Sequence, residues 1–184
     1  LPLMKNNQGY NNLLTPKLSF RFNPSDMKNY SSSENKIDVN NVFAINRLGL
    51  SDTLETGRSI TLGLDFKKEK KDELEKINNY FELKLATVLR DKVEKFIPKK
   101  SSIHRKNSNL FGSVTTKFSK NLDFGYNFAL DNDFNTFEYN DLNATLSINN
   151  FVTTFNFIEE NGEAGDSSIL SNSIEYNIDD KNSL

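Results

Sequence analysis

Apolar and polar residues alternate with period two along most of the chain, the spacing of a strand with one apolar face and one polar face. The run Leu122, Phe124, Tyr126, Phe128, Leu130 is interleaved with Asp123, Gly125, Asn127 and Ala129, and Ile60, Leu62, Leu64, Phe66 with Ser59, Thr61, Gly63 and Asp65. The same rhythm marks Leu18/Phe20/Phe22, Ile37/Val39 running to Phe43/Ile45, and Phe81/Leu83/Leu85. It returns in Leu142/Ala144/Leu146/Ile148, Phe151/Thr153/Phe155/Phe157 and Ile174/Tyr176/Ile178, with a weaker Thr- and Ser-rich strand from Asn109 to Phe118. The pattern predicts an all-β fold, an antiparallel up-and-down meander of about nine strands.

Between Tyr139 and Leu142 the apolar phase switches from odd to even positions. That implies either a β-bulge in a continuous strand or a turn at Asn140-Asp141. From the fifth strand onward the connections are Ser119-Lys120-Asn121, Asp131 to Asn135, Asn149-Asn150, the acidic stretch Glu159 to Asp166, and Asp179 to Asn182. Asn, Asp and Gly supply the left-handed conformations that hairpins need. Tight turns alternate with longer loops, so one end of the sheet is plain and the other elaborated. The charged segment Lys67 to Asn79 reads as a solvated loop with one helical turn, from Leu74 and Ile77 with Asp72/Lys76 at helical spacing.

Composition narrows the function. The chain has 184 residues, no Cys, one His, and 23 Lys+Arg against 25 Asp+Glu. No basic field is available to hold nucleic acid, and disulfides, thiolate zinc sites and Cys nucleophiles are excluded. A single His argues against a multi-His metal site and a His-based triad. The longest unbroken apolar run is Val42-Phe43-Ala44-Ile45, far short of a membrane-spanning helix. Mean hydropathy is −0.61, yet there are 15 Phe, which is not the profile of a disordered chain. Either the apolar layer is thin, or something outside the chain covers its apolar face.

The apparent chemical motifs dissolve on inspection. Asp131-x-Asp133-x-Asn135 starts like a calcium loop, but Thr136 and Leu142 stand where Gly and a bidentate Glu belong, so a self-capped turn accounts for it. Glu159, Glu160, Glu163 and Asp166 read as a solvated loop tip, with a divalent-cation site as the lesser alternative. His104, in the basic stretch Lys99 to Lys106, reads as solvent-exposed, and that stretch as a patch that could meet anionic lipid or sugar phosphate. No phosphate-binding glycine loop, nucleophile elbow or metalloprotease motif is present, so no enzyme is expected and no cofactor.

Alternating strands of this kind suit a soluble sandwich or an outer-membrane barrel whose apolar face meets lipid. Several strands run about ten residues, the length of a tilted bilayer crossing. The polar face would carry Lys17, Arg21, Asp65, Lys84 and Asp123, and Phe111, Phe118, Tyr139 and Tyr176 would form interface girdles. These features favour the barrel.

Specific segments then become familiar: Leu1-Pro2-Leu3 and Leu14-Thr15-Pro16-Lys17; Asn40 to Arg47; Gly49-Leu50-Ser51-Asp52 to Glu55-Thr56-Gly57-Arg58, leading into Thr61-Leu62-Gly63-Leu64; and Leu89-Arg90-Asp91, Pro98, Ser101-Ser102 and Ser108 to Gly112. In this order, over nearly the whole chain, they resemble the C-terminal barrel region of the LPS-assembly protein family (LptD, also called OstA or organic solvent tolerance protein). The resemblance implies part of a large β-barrel in the Gram-negative outer membrane that inserts lipopolysaccharide into the outer leaflet, a conduit without bond chemistry. It implies a single partial barrel domain over residues 1–184, with N-terminal strands and a periplasmic domain lying elsewhere. Implied partners are lipopolysaccharide, outer-membrane lipid, a plug lipoprotein and the periplasmic bridge proteins. The matching motif residues are Pro16, Asn46, Arg47, Asp52, Gly57, Arg58, Arg90, Asp91, Pro98, Ser101 and Gly112, read as structural. Of these, Asn46, Arg47, Asp52 and Arg58 could hydrogen-bond across a hairpin between the second and third strands, with direct lipopolysaccharide contact as the lesser alternative. Better-known members link domains through Cys pairs, a pattern from which this chain departs. The alternatives are another outer-membrane barrel such as a porin, and a soluble β-sandwich binding module.

Overall fold

The computed structural model describes residues 2–7, 9–71, 77–179 and 182–183. The strands are β1 (Leu3–Asn7), β2 (Tyr10–Asn23), β3 (Gly57–Lys71), β4 (Ile77–Arg90), β5 (Leu110–Ser119), β6 (Leu122–Leu130), β7 (Phe137–Ile148), β8 (Phe151–Glu160), β9 (Ser167–Asp179) and the two-residue β10 (Asn182–Ser183). They form one antiparallel sheet in the order β1 to β10, each strand pairing with its sequence neighbour. The fold is the all-β up-and-down meander that the alternation predicts.

The strand set gains β1 and β10, which the alternation does not predict, and differs from expectation in two further places. Ile37 to Ile45 is not a strand. The Asp38 carboxylate accepts the backbone N–H groups of Asn40 (2.7 Å) and Asn41 (3.0 Å), and the Asn41 side chain accepts the N–H of Asp38 (3.0 Å). These local side-chain bonds outcompete a ladder, and residues 24–56 become one long folded connection. The charged segment is not a loop from Lys67: β3 continues to Lys71 and β4 begins at Ile77. The proposed helical turn falls mainly on residues 72–76, outside the described residues, as do parts of the turn near Asp180.

Register separates two faces. On the outward face, rows such as Phe20–Ile60–Leu89 and Leu14–Phe66–Leu83–Val114–Tyr126–Leu142–Phe157–Leu170 run across the sheet. On the inward face the corresponding rows hold Ser59 and Arg90, or Asp65, Lys84, Ser113, Asn127 and Asp141. No layer of the described protein covers the outward face: Leu18 is 74% exposed, Phe20 67% and Leu170 65%. A soluble sandwich would bury that face against a second sheet, and among the described residues all strands belong to one sheet.

The phase switch in β7 is a bulge. Ala129 pairs with Tyr139 and Leu130 with Phe137, so Glu138 is the extra residue, and β7 runs on without a turn at Asn140-Asp141. The bulge leaves Phe137 outward and turns Tyr139 inward. Two girdle expectations fall with it: Tyr139 packs on the inward cluster, and Phe111 is buried there. Phe118 and Tyr176 remain exposed, near the short-turn end.

The hydrophobic core lies on the inward side at the long-loop end. Ala86, Val88, Phe111 and Ala129 of the sheet meet Met27, Ile37, Val39, Val42, Leu48 and Leu50 from the β2–β3 connection, and Ile97 and Ile103 from the β4–β5 connection (residues 91–109). The two connections join through Tyr30 N–H to Phe96 O (2.9 Å) and Lys99 N–H to Ser31 O (3.2 Å). The long connections therefore fold back as a cap over the inward face.

Candidate functional site: the cap on the inward face

The cap is anchored by a buried carboxylate among arginines. Glu55 Oε2 accepts from Arg47 Nε (2.6 Å), and Oε1 accepts from Arg47 Nη2 (2.5 Å) and Arg90 Nη1 (2.6 Å). The fork of Arg47 matches the carboxylate bidentately. Arg47 also donates to Thr61 Oγ1 (2.9 Å), Ser59 Oγ (3.0 Å) and the Val42 carbonyl (3.3 Å), and Arg90 to the Thr56 carbonyl. Arg21, inward on β2, donates to the carbonyls of Ala44 and Ile45 and lies 3.9 Å from Glu55. The side chains of Arg47, Arg90 and Glu55 are 2% exposed or less. Burial at this level is tolerated because nearly every polar atom is paired. Arginines of β2, β4 and the β2–β3 connection thus meet at Glu55, and Arg47 ties the cluster to β3.

A second clasp ties the β4–β5 connection to β7 and to residues 161–166. Arg105 Nη2 donates to Glu163 (2.5 Å) and Glu138 (3.1 Å), and Asn109 donates to the other Glu138 oxygen (2.7 Å). The bulge at Glu138 is what turns that carboxylate toward Arg105. His104 Nε2 lies 3.6 Å from Glu163, with 14% of its side chain exposed. It is not the solvent-exposed histidine expected, because the loop folds onto the sheet. Burial pushes its pKa down, against the opposing pull of Glu163.

Of the carboxylates in the acidic stretch, only Glu163 and Asp166 lie in an exposed loop. Glu159 and Glu160 are strand residues, and the carboxylates point to different partners: Glu159 to Asn140, Glu160 to Lys36, Glu163 to Arg105. Among the described residues no three His, Cys, Asp or Glu side chains converge as a metal site. Asp131 Oδ1 accepts the Asn135 N–H (2.8 Å), the self-capped turn expected there.

The motif residues divide between cap and wall. Asn46 holds the turn to Gly49 by exchanging two bonds with the Leu50 backbone (2.7 and 3.1 Å). Asp52 accepts from Lys28 (2.6 Å) and Tyr30 (2.5 Å), and the Lys28 ammonium holds its carboxyl below the usual range. Gly57 takes φ +88°, and a Cβ there would lie 2.5 Å from the Glu94 carboxylate. Pro98 and Ser101 are fully buried, with Ser101 Oγ donating to the Pro98 carbonyl (2.6 Å). Arg58 and Asp91 form a 3.0 Å ion pair at the outer rim, joining β3 to the residue after β4. Pro16 is exposed on the outward face, past the last residue of β2 that pairs with β1. Gly112 is outward too, and the Phe128 ring lies over it, where any Cβ would collide. Because 37–45 is no strand, the expected hairpin network is replaced: of those four residues, Arg47 bonds to β3, whereas Asn46 and Asp52 bond within the cap.

Sequence reading missed Glu55 as the hub and Phe43, whose ring covers Gly63 on the inward face beneath Lys17, 5.5 Å above it. Glu55 stands 34 and 35 residues from Arg21 and Arg90, so no local spacing links them. The usable signal was three arginines, all at polar positions that need a partner if buried.

The rest of the inward wall is hydrophilic. Lys17–Asp65 (2.5 Å), Lys67–Glu69 (2.9 Å), Lys84–Glu82 (3.4 Å) and Lys117–Asp123 (3.8 Å) are neighbouring ion pairs. Farther along, Asn127 donates to Asp141 (3.1 Å), Asn143 to Asn156 (2.5 Å), and Thr145 bonds Thr154 (3.1 Å). Such a wall offers amide, hydroxyl and charged groups to a polar solute.

Residues 2–181 match the family model described as LptD, LPS transport system D. No curated protein matches the chain.

Proposed function

The chain belongs to the LptD family of outer-membrane lipopolysaccharide transport, and from that premise we propose that its sheet is a section of barrel wall along which lipopolysaccharide reaches the outer leaflet. The observation that carries this reading is the contrast between faces: a wide apolar face that the described protein leaves bare, backed by a polar face capped at one end. Lipid covers the first. The second passes the saccharide, whose hydroxyls find the Asn127, Asn143, Asn156, Thr145 and Thr154 ladder, while the acyl chains leave laterally between strands. The cap from residues 24–56 and 91–109 narrows the long-loop end, which in barrels is the extracellular one.

The chain supplies one part of a larger barrel domain in the Gram-negative outer membrane. A plug lipoprotein and the periplasmic bridge proteins complete the path, and no bond is made or broken. The motif residues Asn46, Arg47, Asp52, Gly57, Arg90, Pro98 and Ser101 hold the cap, and Pro16, Arg58, Asp91 and Gly112 shape the wall.

Photocrosslinkers placed singly at inward Asn127 and Asn143 and at outward Leu62 test this in cells. Lipopolysaccharide adducts at the inward positions that depend on the periplasmic supply support a conduit. Absence of inward adducts, together with lipopolysaccharide-independent single-channel conductance, would replace it with a porin-like pore.

A further inference from the structure

Charge on β1 to β5 is segregated by face. Every described acidic residue of these strands, Asp65, Glu69 and Glu82, lies in the inward register, beside the inward lysines Lys17, Lys67 and Lys84. Lys5, Lys68 and Lys70 stand on the outward face instead, all exposed, and among the described residues none has a carboxylate partner. Lys5 and Lys68 share one register row on either side of Asn12, and Lys70 pairs with Tyr10 in the next. Two strand spacings separate the first two, about 10 Å, which long lysine side chains can close on one phosphate. Lys68 and Lys70 also bracket the Tyr10 ring, at 4.5 and 5.7 Å from its centroid.

Position gives these lysines their meaning. They begin one row beyond the last apolar row, Leu14–Phe66–Leu83, at the end of the sheet that has the tight turns Lys120-Asn121 and Asn149-Asn150. A pocket of about 200 Å³ opens there, lined by Tyr10, Lys68, Phe81, Thr116 and Phe118. Aromatic rings for the upper acyl chain and glycerol lie beside ammonium groups for the phosphate, at the depth where an apolar wall meets headgroups.

We infer that Lys5, Lys68 and Lys70, with Tyr10, Phe81 and Phe118, form a binding site on the outward wall for an anionic glycerophospholipid of the leaflet on the short-turn side. The inference rests on the lipid-facing reading of that wall. The occupant is a phospholipid by charge complementarity and by continuity with the apolar rows, and the site seats the barrel at a set depth.

The chain has no Trp, so a single Leu83→Trp reporter in the full chain reads its neighbours cleanly. It is reconstituted in phosphatidylcholine vesicles containing phosphatidylglycerol, with either lipid brominated in turn. Quenching by both lipids, with phosphatidylglycerol preferred by about fivefold or more, is the expected result, since one lysine near a membrane surface already contributes about fivefold. Lys5→Gln/Lys68→Gln/Lys70→Gln abolishes the preference while quenching by phosphatidylcholine persists, and the triple Lys→Arg variant keeps it. Equal quenching by the two lipids in the parent, or a preference that survives the glutamines, overturns the site alone. No quenching by either lipid overturns the lipid-facing wall as well.

Discussion

Replacing Glu55 with Gln would leave the Arg47 and Arg90 guanidiniums buried without their counter-charge, while the shape of the side chain is kept. Removing one partner of a buried, hydrogen-bonded ion pair costs about 3–5 kcal/mol, most of it from the stranded charge. Thermal or urea unfolding in detergent should report a loss in that range for Glu55→Gln, and proteolysis should open residues 24–56 before the strands. Arg58→Gln, which breaks an exposed pair at the rim (Arg58 side chain 64% exposed), should move stability by less than about 1 kcal/mol. A comparable loss in both variants would show that burial does not set the strength of the Glu55 cluster. The glycines make the same point about neighbourhood. Gly112 and Gly63 are alike in sequence, yet one seats Phe128 on the outward face and the other seats Phe43 on the inward face.

At the scale of elements, the β2–β3 and β4–β5 connections behave as parts of one cap, joined to the β7 bulge through Arg105, Asn109 and Glu138. His104 makes the second clasp sensitive to pH. Its folded pKa is lowered, with burial as the first cause; Glu163 and Glu138 raise it, Arg105 and Lys99 lower it further. Below the ordinary value of about 6.5 the released loop therefore binds more protons than the docked one, so docking is complete above that pH and weakens as pH falls through the folded pKa. The chain holds one His, so a proton-NMR titration yields a single imidazole curve whose midpoint should lie below that of a free peptide. His104→Gln should remove that part of the acid sensitivity of the β4–β5 connection to proteolysis. A midpoint at or above the peptide value would contradict the burial argument.

For the whole molecule, the outward face sets an apolar band. Arg58 and Lys68 bound it on β3. Their ten-residue separation is about 33 Å along the strand and, at a tilt of about 40°, roughly 25 Å along the membrane normal, the height expected of a barrel wall. Leu62→Lys, midway along that span, should lower folding stability in vesicles by about 2–4 kcal/mol, whereas Ser113→Lys on the inward face should cost far less. Urea titration after reconstitution measures both, and equal penalties would remove the distinction between a lipid face and a wet face.

Alternation alone was enough to determine most strands from Gly57 onward and their up-and-down order, because a strand's side chains must alternate and short Asn-rich turns favour pairing of neighbouring strands. It misplaced Phe111 and Tyr139, however, and ended β3 too early. The same logic misread Ile37 to Ile45. Period-two spacing arises equally from a connection that buries every few residues, and the Asp38–Asn41 bonds that decide between them are local competition invisible to periodicity. The β7 bulge was legible as a phase switch, but that Glu138 was its extra residue depended on the register against β6. Family membership was likewise legible, from ordered motifs. What those motifs do was decided by tertiary structure: Arg47, Arg90 and the unforeseen Glu55 converge only when residues 24–56 fold back over the sheet. Long-range burial of charge is a property of the assembled fold, since no charged residue reveals from its own neighbours which distant partner will take it out of water.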